Sequence, residues 1–214
     1  MYCSRMPARG DHDARRRDVS EAVWRVVAER GFTGLTLRAV AAAMGASTGL
    51  LTHYFPTKRA LVRHAVAVAD ERTATRDRRT APAPGLPALR AALLDVLSLT
   101  GEGTVMNRVW VGFWGAALAE DDLTAGQRER YGRWRAALRG HVLAAGLPEP
   151  DDAVATAAAF THGLVVQALF DPDSFPPERQ IRLLDRFLED LVCRSTTASP
   201  PSLASLPAQA MPTP

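Results

Sequence analysis

Residues 35–58 read LTLRAVAAAMGASTGLLTHYFPTK, and this stretch decides the architecture. Thr36 is a suitable N-cap, and Val40, Ala41 and Met44 recur behind it as an apolar stripe at helical spacing. Gly45 can take the left-handed conformation that closes such a helix. A second helix is expected from about Ser47 to Phe55, where Pro56 stops it. Within it Leu51 and Phe55 stand four apart and turn towards a core. Thr48 and Thr52, also four apart, share with Gly49 and His53 a neighbouring face that has nothing apolar to bury. Two short helices around a tight turn, the second showing hydroxyls outward, have the layout of a helix-turn-helix. The expected partner is double-stranded DNA.

Working outward, nearly every segment has helical period and no strand or hairpin signal stands out. A first helix is expected over 14–30, burying Val19, Ala22, Val23, Val26 and Val27, with Asp13 as cap and Gly31 at the exit. Thr57 caps a long helix expected over 58–79, and Pro82, Pro84 and Pro87 mark the break after it. Further helices are expected over 87–99, 105–120, 124–145, 151–170 and 177–194. The predicted class is all-α with about nine helices. A disordered arm (1–12) precedes a three-helix helix-turn-helix domain (13–60). A helical ligand-binding and dimerisation domain (61–194) follows, then a disordered Ser/Pro/Ala/Thr-rich tail (195–214).

Charge divides with this organisation. Residues 1–79 hold 15 Lys+Arg against 8 Asp+Glu, and residues 80–214 hold 11 against 15, giving net +7 and net −4. A basic head on an acidic body suits a DNA-binding unit attached to a part that stays off DNA. Arg15, Arg16 and Arg17 oppose the macrodipole if the first helix starts at 14, a cost that a nearby phosphate backbone would offset; three simply solvated arginines are the equal alternative. Only two cysteines occur, Cys3 and Cys193, near the chain ends, so no disulfide framework is implied. The N-terminus lacks the apolar core of a signal peptide, and no apolar run approaches the ~18 residues of a membrane span. A cytoplasmic protein is expected.

The run from Leu35 to Lys58, ending His-Tyr-Phe-Pro-Thr-Lys, together with Ala28–Thr33, resembles the DNA-binding domain of TetR-family transcriptional regulators. The likeness covers roughly residues 14–65. Val109-Trp110-Val111-Gly112-Phe113-Trp114 resembles the ligand-binding half of the choline-responsive betaine-pathway repressors in that family. The resemblance implies a repressor that occupies a palindromic operator and leaves when a small-molecule effector binds. It also assigns roles. Thr48, Gly49 and Thr52 match groove-facing positions, where threonine methyls can pack on thymine methyls. Arg38 matches a position that reaches a base edge or a phosphate. Thr36, Ser47, His53, Tyr54 and Lys58 match phosphate-contacting positions, although Thr36 also caps, Tyr54 can simply pack and His53 can be a solvated surface histidine.

In the second domain, Trp110, Phe113 and Trp114 occupy one helix face at i, i+3, i+4, and Tyr131 and Trp134 do the same on the next helix. Such stripes serve equally as plain core. The resemblance, and the polar His162 and Gln167 within an apolar helix, favour an effector pocket lined by these seven residues. An aromatic cage suits an organic cation, but no carboxylate is identified that must face it. For a homodimer, Ile181, Leu184, Leu188 and Leu191 follow a heptad-like seam beside a second stripe of Leu183 and Phe187. Ala155, Ala158 and Ala159 permit close helix approach. The five histidines form no metal-ligand spacing, no phosphate-binding glycine loop occurs, and no serine or cysteine has an identifiable base. No enzyme, metal or cofactor is expected. The alternative is an all-helical adaptor or ligand-binding protein without sequence-specific DNA binding.

Overall fold

The computed structural model describes the backbone of residues 9–79 and 83–196 and the side chains of 14–79 and 83–194. Among the described residues the chain is all-helical: α1 (Arg9–Arg30), α2 (Leu37–Met44), α3 (Thr48–Tyr54), α4 (Lys58–Thr75), α5 (Leu86–Leu94), α6 (Gly101–Ala117), α7 (Asp121–Ala144), α8 (Pro150–Phe170) and α9 (Pro177–Thr196). The local chemistry of the helix-turn-helix is explicit. The hydroxyls of Thr36, Ser47 and Thr57 accept from the backbone N–H groups of Ala39 (3.0 Å), Leu50 (3.4 Å) and Ala60 (3.1 Å), starting α2, α3 and α4. Gly45 ends α2 at φ 64°. Its N–H bonds to the Ala42 carbonyl and that of Ala46 to the Ala41 carbonyl, closing a Schellman turn that a residue with Cβ would strain.

Two hydrophobic cores form. The first joins Val23, Val26, Leu35, Val40, Leu51, Phe55 and Leu61 of the head to Val109, Phe113 and Ala117 of α6. The boundary expected at 60/61 is therefore crossed by continuous packing, with the Phe32 and Phe113 rings 5.4 Å apart. The second joins α5, α7, α8 and α9 through Leu89, Leu93, Leu138, Val142, Val165, Leu184 and Leu188. Its polar members are satisfied. Gln180 bonds to the Ser98 N–H and the Ser98 and Phe175 carbonyls. The Arg90 guanidinium grips Asp185 at 2.5 and 2.9 Å.

Several boundaries differ from the sequence reading, each for a tertiary reason. α1 runs through Asp13 from Arg9, so Asp13 is no cap, the first helix begins inside the expected arm, and Arg15–Arg17 fall beyond the first turn, where the macrodipole conflict is eased. Residues 1–8 and the tail from 197 lie outside the described residues. α4 stops at Thr75 rather than 79: Arg76 is extended (φ −64°, ψ 151°), and the Arg79 N–H and guanidinium both bond to Asp95. The Thr73 and Thr75 hydroxyls, bonded back to the Ala69 and Glu71 carbonyls, weaken the last turn further. α5 ends at Leu94 because the Asn107 side chain takes the Val96 carbonyl and Gln180 takes Ser98. α6 begins early because Thr100 caps it onto Gly103 despite two glycines in its first turn.

The α8 helix corrects another expectation. Its 21 residues, with a mean hydropathy of 1.6 over an 18-residue window, satisfy the length and composition of a membrane span. Here one side of it is built into the core, burying Val154, Ala157, Thr161, Leu164 and Val165.

Candidate nucleic-acid interface and effector pocket

Thr36, Arg38, Ser47, Thr48, Gly49, Thr52, His53 and Lys58 are all exposed, while Tyr54 is half-buried with its ring edge-on to His53 at 5.9 Å. The opposite side of α3 is fixed by Leu51, which is fully buried. The Thr52 hydroxyl donates to the Gly49 carbonyl at 2.8 Å, so its proton is used within α3 and its oxygen lone pairs and methyl remain outward. A Cβ at Gly49 would meet nothing closer than the Ser47 hydroxyl at 4.0 Å, so this side of the backbone is open to close approach. Thr36 and Ser47 combine exposure with a cap, so both hold a helix start at the surface.

In the body, a cavity of about 450 Å³ is walled by α4, α6, α7 and α8. Trp110, Trp114, Tyr131, Trp134 and His162 border it. Two of the seven expected residues do not. Phe113, 1 % exposed, turns into the first core against Phe32, because positions 110 and 113 diverge enough on α6 to face different neighbours. Gln167 is exposed on the outer face of α8. The sequence reading also missed Asp70, Thr73, Arg76, Arg78 and Arg130, which line the cavity from α4, its C-terminal extension and α7. An acidic residue inside the apolar run of α4 was the available signal for Asp70.

The aromatic groups surround His162. Its ring centroid lies 5.3 Å from Trp114, 5.2 Å from Tyr131 and 5.0 Å from Trp134. Burial holds the imidazole neutral, its pKa pushed down to about 4, and pushes the Tyr131 phenol up. On the α4 side the Trp110 Nε1–H donates to the Thr73 hydroxyl at 3.0 Å. Arg130 lies over the Trp110 ring at 4.7 Å, bonds to Gln127 at 2.7 Å and forks onto Asp70, Nε to Oδ1 at 2.5 Å. Trp114 Nε1 and Arg76 Nε are buried without a partner.

The His162 burial carries a signed prediction. Above a pH of about 6.5 the ring is neutral in folded and unfolded chains alike. As pH falls towards 4 only the unfolded chain takes the proton, so folding stability declines, by about 3 kcal/mol once pH is below both values. Urea unfolding of wild type and His162→Gln at pH values of about 7 and about 4.5 isolates this contribution. The variant should lose markedly less stability on acidification, and identical losses would refute the assignment.

Comparisons with known proteins match this geometry. Residues 20–65 match the model of the bacterial regulatory proteins of the tetR family, and residues 86–192, half of the chain, match that of the BetI-type transcriptional repressor C-terminal domain. The chain is 27 % identical over 197 residues to the HTH-type transcriptional regulator PksA of Bacillus subtilis, covering 89 % of this chain and 96 % of PksA. To the HTH-type transcriptional regulator BetI of Paraburkholderia phymatum it is 29 % identical over 200 residues, covering 89 % and 99 %. Among solved structures, a transcriptional regulator from Rhodococcus sp. Rha1 superposes with a TM-score of 0.74 at 26 % identity, over 86 % of this chain and 99 % of that one. A transcriptional regulator from Saccharomonospora viridis, crystallised in complex with choline, has the same fold (TM-score 0.71, 19 % identity, 83 % and 96 % covered). A helix-turn-helix with its small polar face exposed, joined to a helical body of this type over nearly its whole length, makes the chain a DNA-binding transcriptional regulator of the TetR family with a BetI-type C-terminal half.

Proposed function

We propose that the protein represses transcription as a cytoplasmic homodimer, occupying a palindromic operator and releasing it when a small molecule enters the α4/α6/α7/α8 cavity. The helix-turn-helix domain spans 13–60 and the effector-binding and dimerisation domain 61–194, with α4 shared between them. The observation that carries the reading is the pairing of an exposed polar α3 face with a partly open, aromatic-lined cavity whose wall includes α4 and α6. Thr48, Gly49 and Thr52 read base edges. Arg38 takes a guanine or a phosphate, and Thr36, Ser47, His53, Tyr54 and Lys58 hold phosphates. Trp110, Trp114, Tyr131, Trp134 and His162 form the pocket wall.

The dimer face is revised from the sequence seam. Leu184 (0 % exposed) and Leu188 (3 %) belong to the protomer's own core, and Ala158 is likewise buried. What supports a partner is the outer stripe of α8: Ala155, Ala159, Gly163 and Gln167 are exposed in helical register and end at Phe170, 82 % exposed. Phe160 and Phe187, stacked at 4.4 Å, join α8 to α9, on which Ile181, Leu183 and Leu191 are half-buried. Small residues along one such face permit close approach of a symmetry-related α8.

The DNA roles are tested on an operator selected from a random duplex library. Lys58→Ala is expected to weaken binding to all duplexes and to lower the salt slope by about one unit. Thr52→Ala should instead relax the preference at one base position in each half-site, at about 1–3 kcal/mol. Equal, salt-independent losses for both variants would sink this division of labour.

A further inference from the structure

The polar groups around the cavity define the charge of what it accepts. Four arginines border it, Arg76, Arg78, Arg130 and Arg133, against one carboxylate, Asp70. That carboxylate is already committed: both of its oxygens bond to Arg130, which is itself held over Trp110 and by Gln127. Arg133 is paired with Glu129 at 2.8 Å. Arg76 and Arg78 remain. Among the described residues, Arg78 donates to the neutral Thr73 carbonyl, at 3.1 Å, and to no carboxylate. Among the same residues Arg76 has no carboxylate within ion-pair distance, and its Nε is buried without an acceptor. Burial, then the like charge of Arg78, lower its pKa; Asp95 and Glu102 oppose this, and Arg79 adds to it. The two unpartnered buried atoms bordering the cavity, Arg76 Nε and Trp114 Nε1, are both donors. An unsatisfied buried donor is unfavourable, and an incoming acceptor relieves it.

The aromatic box points the same way. A cage for an organic cation needs an open space between aromatic faces. Here the His162 ring fills that space, within 5.0–5.3 Å of three aromatic rings. A cation entering would meet the Arg76 and Arg78 guanidinium groups and find the one carboxylate of the cavity wall, Asp70, already bonded to Arg130.

We propose that the effector is a carboxylate with an aromatic or apolar body, its headgroup held by the Arg76 and Arg78 guanidinium groups and its body laid against Trp110, Trp114 and Trp134. The planar guanidinium fork matches a carboxylate, and about 450 Å³ admits a compact ligand of one or two rings. This deepens the pocket reading above and rests on it.

The test is calorimetric titration of the full chain with three shape-matched probes: 2-naphthoate, 2-naphthamide and (2-naphthylmethyl)trimethylammonium. Naphthoate is expected to bind at least about tenfold more tightly than either of the others. Arg76→Gln and Arg78→Gln should each erase most of that preference by weakening naphthoate far more than naphthamide, with circular dichroism confirming that each variant is folded. A trimethylammonium probe that binds tightest, or a naphthoate preference untouched in both variants, overturns the anion assignment. Val111→Trp, which adds an indole at a half-buried position of the cavity wall and whose fold is checked by circular dichroism, separates that failure from failure of the pocket itself. If it abolishes binding of the preferred probe, the pocket stands whichever charge wins. If it leaves that probe's affinity unchanged, or if no probe binds at millimolar concentration, the pocket reading falls together with this inference.

Discussion

A folded monomer is the expected product of Gly163→Glu. Gly163 is exposed in the middle of the outer α8 stripe, and a Cβ there meets nothing within 4 Å. The substitution therefore costs the protomer no packing, and it replaces glycine with a better helix former, worth up to about 1 kcal/mol in the fold's favour. Across a symmetric interface the same change sets two like charges against each other on a face of Ala155, Ala159 and Phe170. Sedimentation should show the wild-type dimer and a monomeric variant at micromolar concentration. Operator affinity should fall by about 10²–10⁴, because the second half-site contact is no longer intramolecular. Binding to a single half-site should be unchanged. Leu188→Glu, which the heptad-like seam suggests, is uninformative: that side chain is 3 % exposed, and a carboxylate there disrupts the protomer itself. A Gly163→Glu protein that remains dimeric would show that the partner docks elsewhere.

That contrast also shows what a sequence does and does not carry. The head was legible because its signals are local. Thr36, Ser47 and Thr57 hydrogen-bond three residues onward, and Gly45 takes a conformation that its lack of Cβ makes easy. Leu51 and Phe55 bury as their spacing requires. The body was legible in its elements and less so in its faces. On α9 two apolar stripes run side by side, and periodicity cannot say which meets the protomer's own core. Leu184 and Leu188 do, and the reverse assignment is equally good by spacing alone. On α6, Trp110 and Phe113 fall on one broad face, yet α4 and α7 receive the indole while Phe32, in the turn after α1, receives the phenyl ring. The end of α4 was hidden because residues 76–79 contain no helix breaker. Asp95, sixteen residues beyond Arg79, draws that segment away. This bend half-buries Arg76 and brings Arg78, which stays exposed, to the cavity edge.

Loss of effector response with retained effector binding is expected for Phe113→Leu. The helix expected over 58–79 ends at Thr75 in α4. It still reaches Asp70 and Thr73, which meet Arg130 and Trp110 at the cavity. From Trp110 the path turns onto Phe113, whose ring lies edge-on at 6.0 Å, and then onto Phe32 of the head at 5.4 Å. Arg59 of α4 ties the same surface to Asp122 of α7 at 2.6 Å. A ligand that shifts Trp110 or Arg130 thus bears on the head through packed rings and a paired guanidinium. Packed cores of this kind switch between discrete arrangements rather than deform smoothly. Phe113 borders core and not the aromatic cavity, so leucine keeps most of the buried volume and leaves the probe's site intact. Alanine, by contrast, should lower stability by about 3–5 kcal/mol and confuse the reading.

The measurement is operator affinity with and without a saturating pocket ligand, and ligand affinity with and without operator. In the wild type the two ratios must agree, at about 5–150-fold for a coupling of about 1–3 kcal/mol. In Phe113→Leu both should approach one, while ligand affinity in the absence of DNA is unchanged. Trp114→Ala and Trp134→Ala should lose the response differently, through weaker ligand binding with the coupling intact at saturation. If Phe113→Leu releases operator as the wild type does, the head is driven through α4 and the Arg59–Asp122 pair, and the ring path carries no signal.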